Sequence, residues 1–179
     1  MIKYTAFLRA INVGGKNLIK MDELKRIFES IGLRNAKTHI QSGNIIFSSN
    51  ISDEKLIIGK IERELHKSLS DVVLVFLRTS VQLKSIIEAN PFTNMQFEVQ
   101  TKPYITFLTD GLKQIPKLPY LSQKKDVEIV KIQEREIYCI AHKIKGSYGF
   151  PNVLVEKEFG VKATTRNWNT ITKVVGLMQ

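Results

Sequence analysis

The sequence predicts an α+β protein whose first 79 residues form a ferredoxin-like β-α-β-β-α-β unit, followed by a second, less regular α+β half ending in a helix. Three observations carry this expectation. Two stretches, Met21 to Ile31 and Ile57 to Leu69, place apolar residues at helical spacing. Short β-prone runs lie before, between and after them. Glycine, asparagine and serine cluster at the joins, as turn residues do.

The elements follow in order. Tyr4 to Ala10 is predicted as a strand centred on Phe7 and Leu8. Asn12-Val13-Gly14-Gly15-Lys16-Asn17 is a loop. Met21, Leu24, Ile27, Phe28 and Ile31 then mark a helix, with Asp22 and Glu23 in its first turn and Gly32 beyond its end. Lys37 to Ile40 and Ile45 to Phe47 are two short strands around the turn Gln41-Ser42-Gly43-Asn44, a hairpin. Ser52 is the expected N-cap of a second helix carrying Ile57, Ile61, Leu65 and Leu69 on one face. Val72 to Leu77 is a continuous apolar run, hence a buried strand. Right-handed crossovers then set strands one and three side by side and antiparallel, with both helices on one face.

The second half, residues 80–179, is read as a separate domain. Leu83, Ile86 and Ile87 mark a helix that stops near Asn90, because Pro91 disfavours helix in the residue before it. Tyr104 to Leu108 is a strand. Pro116 and Pro119 exclude a long helix over residues 111–121. Val127 to Ile132 and Glu136 to Ala141 are strands around Gln133-Glu134-Arg135. Residues 145–149 read as a loop and Val153 to Phe159 as a short helix ending at Gly160. Thr165 is the expected N-cap of a last helix with Trp168, Ile171, Val175 and Met178 on one face. No sequence repeat that would prove a duplication is evident between the halves.

The bulk numbers narrow the function classes. Apolar residues make up 43% and charged residues 25% of the 179, so disorder is not expected. The formal charge is +10, and the excess is even: thirteen basic against eight acidic residues up to position 79, and fourteen against nine after it. Such a surface favours anionic partners without defining a site, and a well-solvated basic surface is its simplest reading. The single cysteine, Cys139, excludes an internal disulfide and a cysteine metal cluster, and fits a reducing, cytoplasmic setting. It lies in an alternating apolar run, as a buried structural thiol would. No segment approaches the ~18 uncharged apolar residues of a membrane span, so no membrane partner is expected.

No catalytic signature is present, and neither an enzyme class nor a cofactor follows from the residues. Gly14-Gly15-Lys16 lacks both the earlier glycine and the following Ser or Thr of a phosphate loop. His39, His66 and His142 have no metal-ligand spacing. His39 and Ser42 lack the orienting acid of a nucleophile pair. The topology nonetheless brings two segments to one edge of the first sheet. Arg9, Asn12, Gly14, Gly15, Lys16 and Asn17 meet Gln41, Ser42, Gly43 and Asn44, beside the start of the first helix. Guanidinium, ammonium, amide, hydroxyl and backbone N–H groups there suit a phosphate, nucleotide or carboxylate. The plainer reading is that amides and glycines stitch neighbouring turns together. Arg166 and Asn167, at the expected start of the last helix, are a further candidate anion contact.

Four segments in this order resemble the bacterial domain-of-unknown-function family numbered 1697: residues 7–17, residues 41–47, Asn90-Pro91-Phe92 and residues 165–170. The resemblance spans essentially the whole chain. The chain departs from the family's usual glycine at Ala10, which narrows backbone freedom at the strand end. The resemblance implies a cytosolic bacterial protein with a ferredoxin-like first half, and it brings no activity, substrate or cofactor. It places signature residues on the loop edge. The leading expectation is therefore a small anionic ligand at that edge. Nucleic-acid binding, from the charge and from Tyr4, Phe7 and Phe47 on strands one and three, is the second. A protein-interaction module without catalysis is the third. Oligomeric state is not set by the sequence.

Overall fold

The structure is a computed structural model describing residues 1–97 and 99–178. It divides into two compact units, Met1–Ile86 with Lys173–Gln179, and Ile87–Thr172. The first unit thus extends past residue 79 and regains the end of the chain. The regained segment is tied to the first strand: Lys3 Nζ donates to Met178 O at 2.8 Å, and the Thr5 hydroxyl meets Met178 Sδ at 3.2 Å.

In the first unit the elements are β1 (Ile2–Leu8), α1 (Met21–Ser30), β2 (Arg34–His39), β3 (Asn44–Ser49), α2 (Glu54–Ser68) and β4 (Val75–Thr79). The strand order is β2-β3-β1-β4, and every pair is antiparallel. The β-α-β-β-α-β order expected from the sequence is therefore the order observed. β1 takes its alternating residues Tyr4, Ala6 and Leu8 to the face covered by both helices. They join Leu24 and Phe28 of α1 and Ile57, Ile61 and Leu65 of α2 in one core. Each Leu, Ile or Phe among them contributes about 1.5–3 kcal/mol on full burial.

Local chemistry shifts several boundaries. β1 ends at Leu8 because Ala10 adopts φ 61, the left-handed region where a glycine would be unstrained. Asp53, not Ser52, caps α2, accepting from Leu56 N at 3.1 Å. β4 starts at Val75 rather than Val72, which is exposed.

The second unit opens within α3 (Ser80–Glu88). It continues through β5 (Thr101–Leu108), β6 (Tyr120–Leu121), β7 (Val127–Gln133), β8 (Glu136–Ile144), β9 (Ser147–Tyr148), α4 (Pro151–Phe159) and β10 (Ala163–Asn167), and closes within α5 (Trp168–Leu177). The sheet runs β10-β5-β8-β7-β6, with β9 paired to β8. Within residues 145–149, expected as a loop, Ser147 and Tyr148 pair with Ile144 and Lys143 as β9, and Lys145 and Gly146 make the turn between. Thr165, expected as a helix cap, lies inside β10, whose ladder with β5 takes up residues 163–167. The capping role falls to Asn167, whose Oδ1 accepts from Asn169 N at 2.9 Å. On α5 the buried residues are Ile171 and Val174, with Met178 buried just beyond its end, so Val174 takes the place expected for Val175.

The two units share one plan. β7-β8-β5-β10 reproduces the order β2-β3-β1-β4, with the same antiparallel pairings. Leu8 N donates to Gly43 O at 2.8 Å, and Leu108 N to Arg135 O at 2.9 Å. Arg9 N donates to Leu74 O at 2.9 Å, and Thr109 N to Lys162 O at 3.1 Å. Arg78 and Arg166 each hold the penultimate place of the last strand, buried, with Nη1 donating to the preceding carbonyl at 2.7 and 2.9 Å. Tyr4, Phe7 and Leu8 recur as Tyr104, Phe107 and Leu108 at the same spacing and register. The counterpart of α1 is missing. The proline-bearing segment with β6 stands in its place.

Two outcomes follow from this packing. A Cβ on Gly43 would lie 2.9 Å from Leu8 Cβ at φ +70, whereas at Gly14 (φ +61) it meets open space. Gly43→Ala is expected to cost about 2–3 kcal/mol and Gly14→Ala only about 1 kcal/mol, read by urea denaturation. Cys139 is fully buried, and burial pushes its thiol up to about 12, against a smaller lowering by Thr106. The unfolded thiol titrates near ~8.5, so above that pH the unfolded chain holds fewer protons than the folded one. Stability from this group is therefore complete below that point and declines as pH rises towards 12. The thiol is expected to resist a thiol reagent at pH 8 until denaturant is added.

Candidate functional site

The predicted edge is assembled, and the asparagines assemble it. After β1 the chain passes Arg9 and Ala10, buries Ile11 and turns back on itself. Val13 and Lys16 form a bridge across Gly14 and Gly15, which adopt φ 61 and 75. Two central residues of positive φ mark a tight two-residue hairpin turn, which glycine allows without strain. Lys16 N donates to Val13 O and Asn12 N to Asn17 O, each at 3.2 Å.

Asn12 holds this turn to its surroundings. Its Nδ2 donates to Ile19 O and to Gln41 O, both at 3.1 Å, and its Oδ1 accepts from Ile19 N at 2.8 Å. The bond to Gln41 joins the strand-one loop to the β2–β3 turn. Gly43 presses that turn onto Leu8 and Ile11. Asn17 is buried. It donates to Ala10 O and accepts from Asp71 N, both at 3.1 Å, and so reaches the approach to β4. Asn44, also buried, donates to His39 O at 3.1 Å and to Ser42 Oγ at 2.9 Å.

All ten residues predicted for this edge thus lie at one end of the first sheet, in two distinct roles. Asn12, Asn17, Asn44 and Gly43 are scaffold, since their polar atoms or close approaches are used in joining loops. Gly14, Gly15, Lys16 and Gln41 are exposed, and Arg9 and Ser42 are half-buried. α1 begins beside them with Lys20 as an N-cap that supplies no side-chain bond, and with Asp22 and Glu23 in its first turn. Those carboxylates already offset part of the helix dipole. Ile19 and Asp71 are the partners that sequence reasoning missed. Both contribute backbone groups, which no side-chain pattern reveals.

Arg166 and Asn167 sit in the second unit with structural duties. Arg166 is buried, and its Nη1 donates to Thr164 Oγ1 at 2.8 Å and Thr165 O at 2.9 Å. Burial lowers its pKa to about 10, so it keeps its charge at neutral pH. It lies in a strand rather than at the helix start, where an anion contact had been expected. Trp168 packs edge-on against Phe92 at 5.2 Å and near Tyr138 at 6.1 Å. The rings that an RNA-recognition surface would expose on strands one and three are buried. Tyr4 and Phe47 stack at 5.6 Å beneath the helices, and Phe7 is fully covered. Among the described residues no group of three or more His, Cys, Asp or Glu side chains is placed to hold a metal, and no helix is long and apolar enough to cross a membrane.

A family model described as "Protein of unknown function (DUF1697)" matches residues 1–138. The conserved bacterial protein SP0830 from Streptococcus pneumoniae has a similar solved structure, at 21% identity and TM-score 0.73. The match covers 99% of this chain and 98% of that one, and it establishes a shared fold. No curated protein matches the sequence.

The Asn12 bridge has a direct test. Asn12→Asp keeps the acceptor for Ile19 N but sets a carboxylate oxygen against two carbonyls. It is expected to cost about 2–4 kcal/mol in equilibrium denaturation. A cost under about 0.5 kcal/mol, the range of ordinary surface changes, would show that the loops hold together without it.

Proposed function

The chain belongs to the DUF1697 family, and from that premise we propose that the loop edge of its first, ferredoxin-like unit binds a small anionic ligand in the bacterial cytoplasm. The ligand class is a phosphate, nucleotide or carboxylate. Arg9 and Lys16 supply the charge. The Gly14-Gly15 turn lets the ligand approach the backbone, and Ser42 and Gln41 supply neutral polar contacts. Asn12, Asn17 and Asn44 hold these groups in place rather than touch the ligand. The observation that carries the reading is the Asn12 link to Gln41 at 3.1 Å. It unites two segments far apart in sequence into one rim bearing a guanidinium and an ammonium. Preorganised donors of this kind bind anions without an ordering cost at the moment of binding. The nucleic-acid reading that relied on sheet aromatics lacks an exposed ring on β1 or β3.

A thermal-shift screen with inorganic phosphate, nucleotides, sugar phosphates and dicarboxylates tests this. A ligand present at a hundredfold its Kd should raise Tm by about 5–10 °C. Arg9→Ala should weaken that ligand roughly tenfold or more, and Lys16→Ala by less, since charge-assisted bonds near a half-buried guanidinium are the stronger. A ligand whose shift is unchanged in both variants refutes the assignment, as does the absence of any hit.

A further inference from the structure

The second unit has a lysine-rich end that no role above uses. β7 begins and β8 ends there. His142 N donates to Asp126 O at 2.8 Å, and Lys143 N donates to Gln100 O at 2.8 Å. These bonds bring the turn lysines, Lys124 and Lys125, to the same end as Lys143 and Lys145 of the β8–β9 hairpin. Among the described residues none of the four lies within ion-pair distance of a carboxylate. Among the described residues the nearby acids are occupied, Glu158 by Lys157 Nζ at 3.7 Å and the Tyr120 hydroxyl at 3.3 Å. Asp126 Oδ1 accepts from Ser122 Oγ at 2.7 Å, and Glu128 faces His142 Nε2 at 3.4 Å.

An apolar recess adjoins this charge. A cleft of about 190 Å³ is lined by Phe150, Val153, Leu154 and Lys124, with Asp126 and the Lys157–Glu158 ion pair (3.7 Å) also on its wall. Phe150 is 68% exposed and Val153 56%. Phe150 occupies the N-cap of α4 and supplies no capping bond. That position favours Ser, Thr, Asp or Asn, so an exposed aromatic there serves neither the helix nor the core. Its placement is enforced from the preceding residue. A Cβ on Gly149 would clash with Asp126 O, so only glycine lets the chain press against the turn that bears Lys124. On the hairpin, the Tyr148 ring carries Lys102 Nζ at 4.2 Å from its centroid.

An exposed aromatic ring at a recess, with Lys124 in its lining and Lys125, Lys143 and Lys145 at the same end of the sheet, matches the way a base and its flanking phosphates are held together. We propose that this end of the second unit binds single-stranded nucleic acid. A base stacks on Phe150 at the cleft, and Lys124, Lys125, Lys143 and Lys145 follow the backbone, while Lys157 stays with Glu158 at 3.7 Å. A lipid surface fits less well, because the apolar residues line a recess instead of the continuous face of an interfacial helix.

Fluorescence anisotropy with a labelled oligothymidylate and the full chain tests this. Affinity should fall with salt at a log–log slope of about −0.7 per phosphate neutralised. Phe150→Ala should weaken binding roughly tenfold with Tm unchanged, and Phe150→Trp should preserve it. Lys143→Ala with Lys145→Ala should reduce the slope by about 1.4. Lys55→Ala, the same loss of charge on an exposed residue of α2, should leave affinity unaltered. The proposal is overturned by absent binding at low salt, by Phe150→Ala binding like the native chain, or by Lys55→Ala costing as much as Lys124→Ala. It is equally overturned if phosphatidylserine vesicles bind and the oligonucleotide cannot displace them.

Discussion

A strand hydrogen-bonded along both edges governs each unit. β1 lies between β3 and β4, and β5 lies between β8 and β10. Such a strand cannot slip by one residue without breaking two ladders and turning its buried side chains to the wrong face. The ladders continue just past the strand ends, where Arg9 N meets Leu74 O and Thr109 N meets Lys162 O. Whatever follows these central strands is therefore launched from a fixed point. The loop edge inherits its order from that constraint, and the asparagine bonds extend it outward to the tip at Gly14 and Gly15.

This division of labour explains why so polar a cluster contains few groups free to do chemistry. Asn12 and Asn17 adopt positive φ, at 53 and 47, a conformation asparagine tolerates better than most residues. Having accepted the turn, each also satisfies the carbonyls and amides that the turn exposes. Amide-rich loops thus look like binding sites in a sequence while serving as joinery in the fold. The proposed ligand would therefore meet the charge and the turn backbone, a smaller set than the residue types alone imply.

The first unit was the more legible because its signals are periodic. Apolar residues on α1 and α2 recur at helical spacing, and the hairpin is bounded by its own turn residues. Within its elements the differences lay at ends, as at Ala10, Ser52 and Val72, where backbone angle or a single cap bond decides. The second unit hid its plan. The segment standing in for α1 carries prolines and a two-residue strand, so the expected strand–helix alternation is broken. Tyr104-Ile105-Thr106-Phe107-Leu108 against Tyr4-Thr5-Ala6-Phe7-Leu8 was a readable trace of the shared plan, but five residues are too few to stand out without the register to align them. Thr165 misled because a strand running directly into a helix places its polar residues where a cap would also sit. At the loop edge, sequence order sufficed to bring the residues together. It could not say which would be consumed, since the partners are main-chain atoms.

The bond from Lys3 to Met178 carries a practical corollary. Residues near the two ends of the described chain emerge at one place, beside the start of β1. A short peptide joining them would close the chain into a ring with little distortion, and new ends could then be opened at an exposed turn such as residues 123–125. Such a rearranged molecule would separate the order of synthesis from the order of packing. It would ask whether a unit whose final segment arrives last, after the whole of the other unit has been made, depends on that delay to assemble.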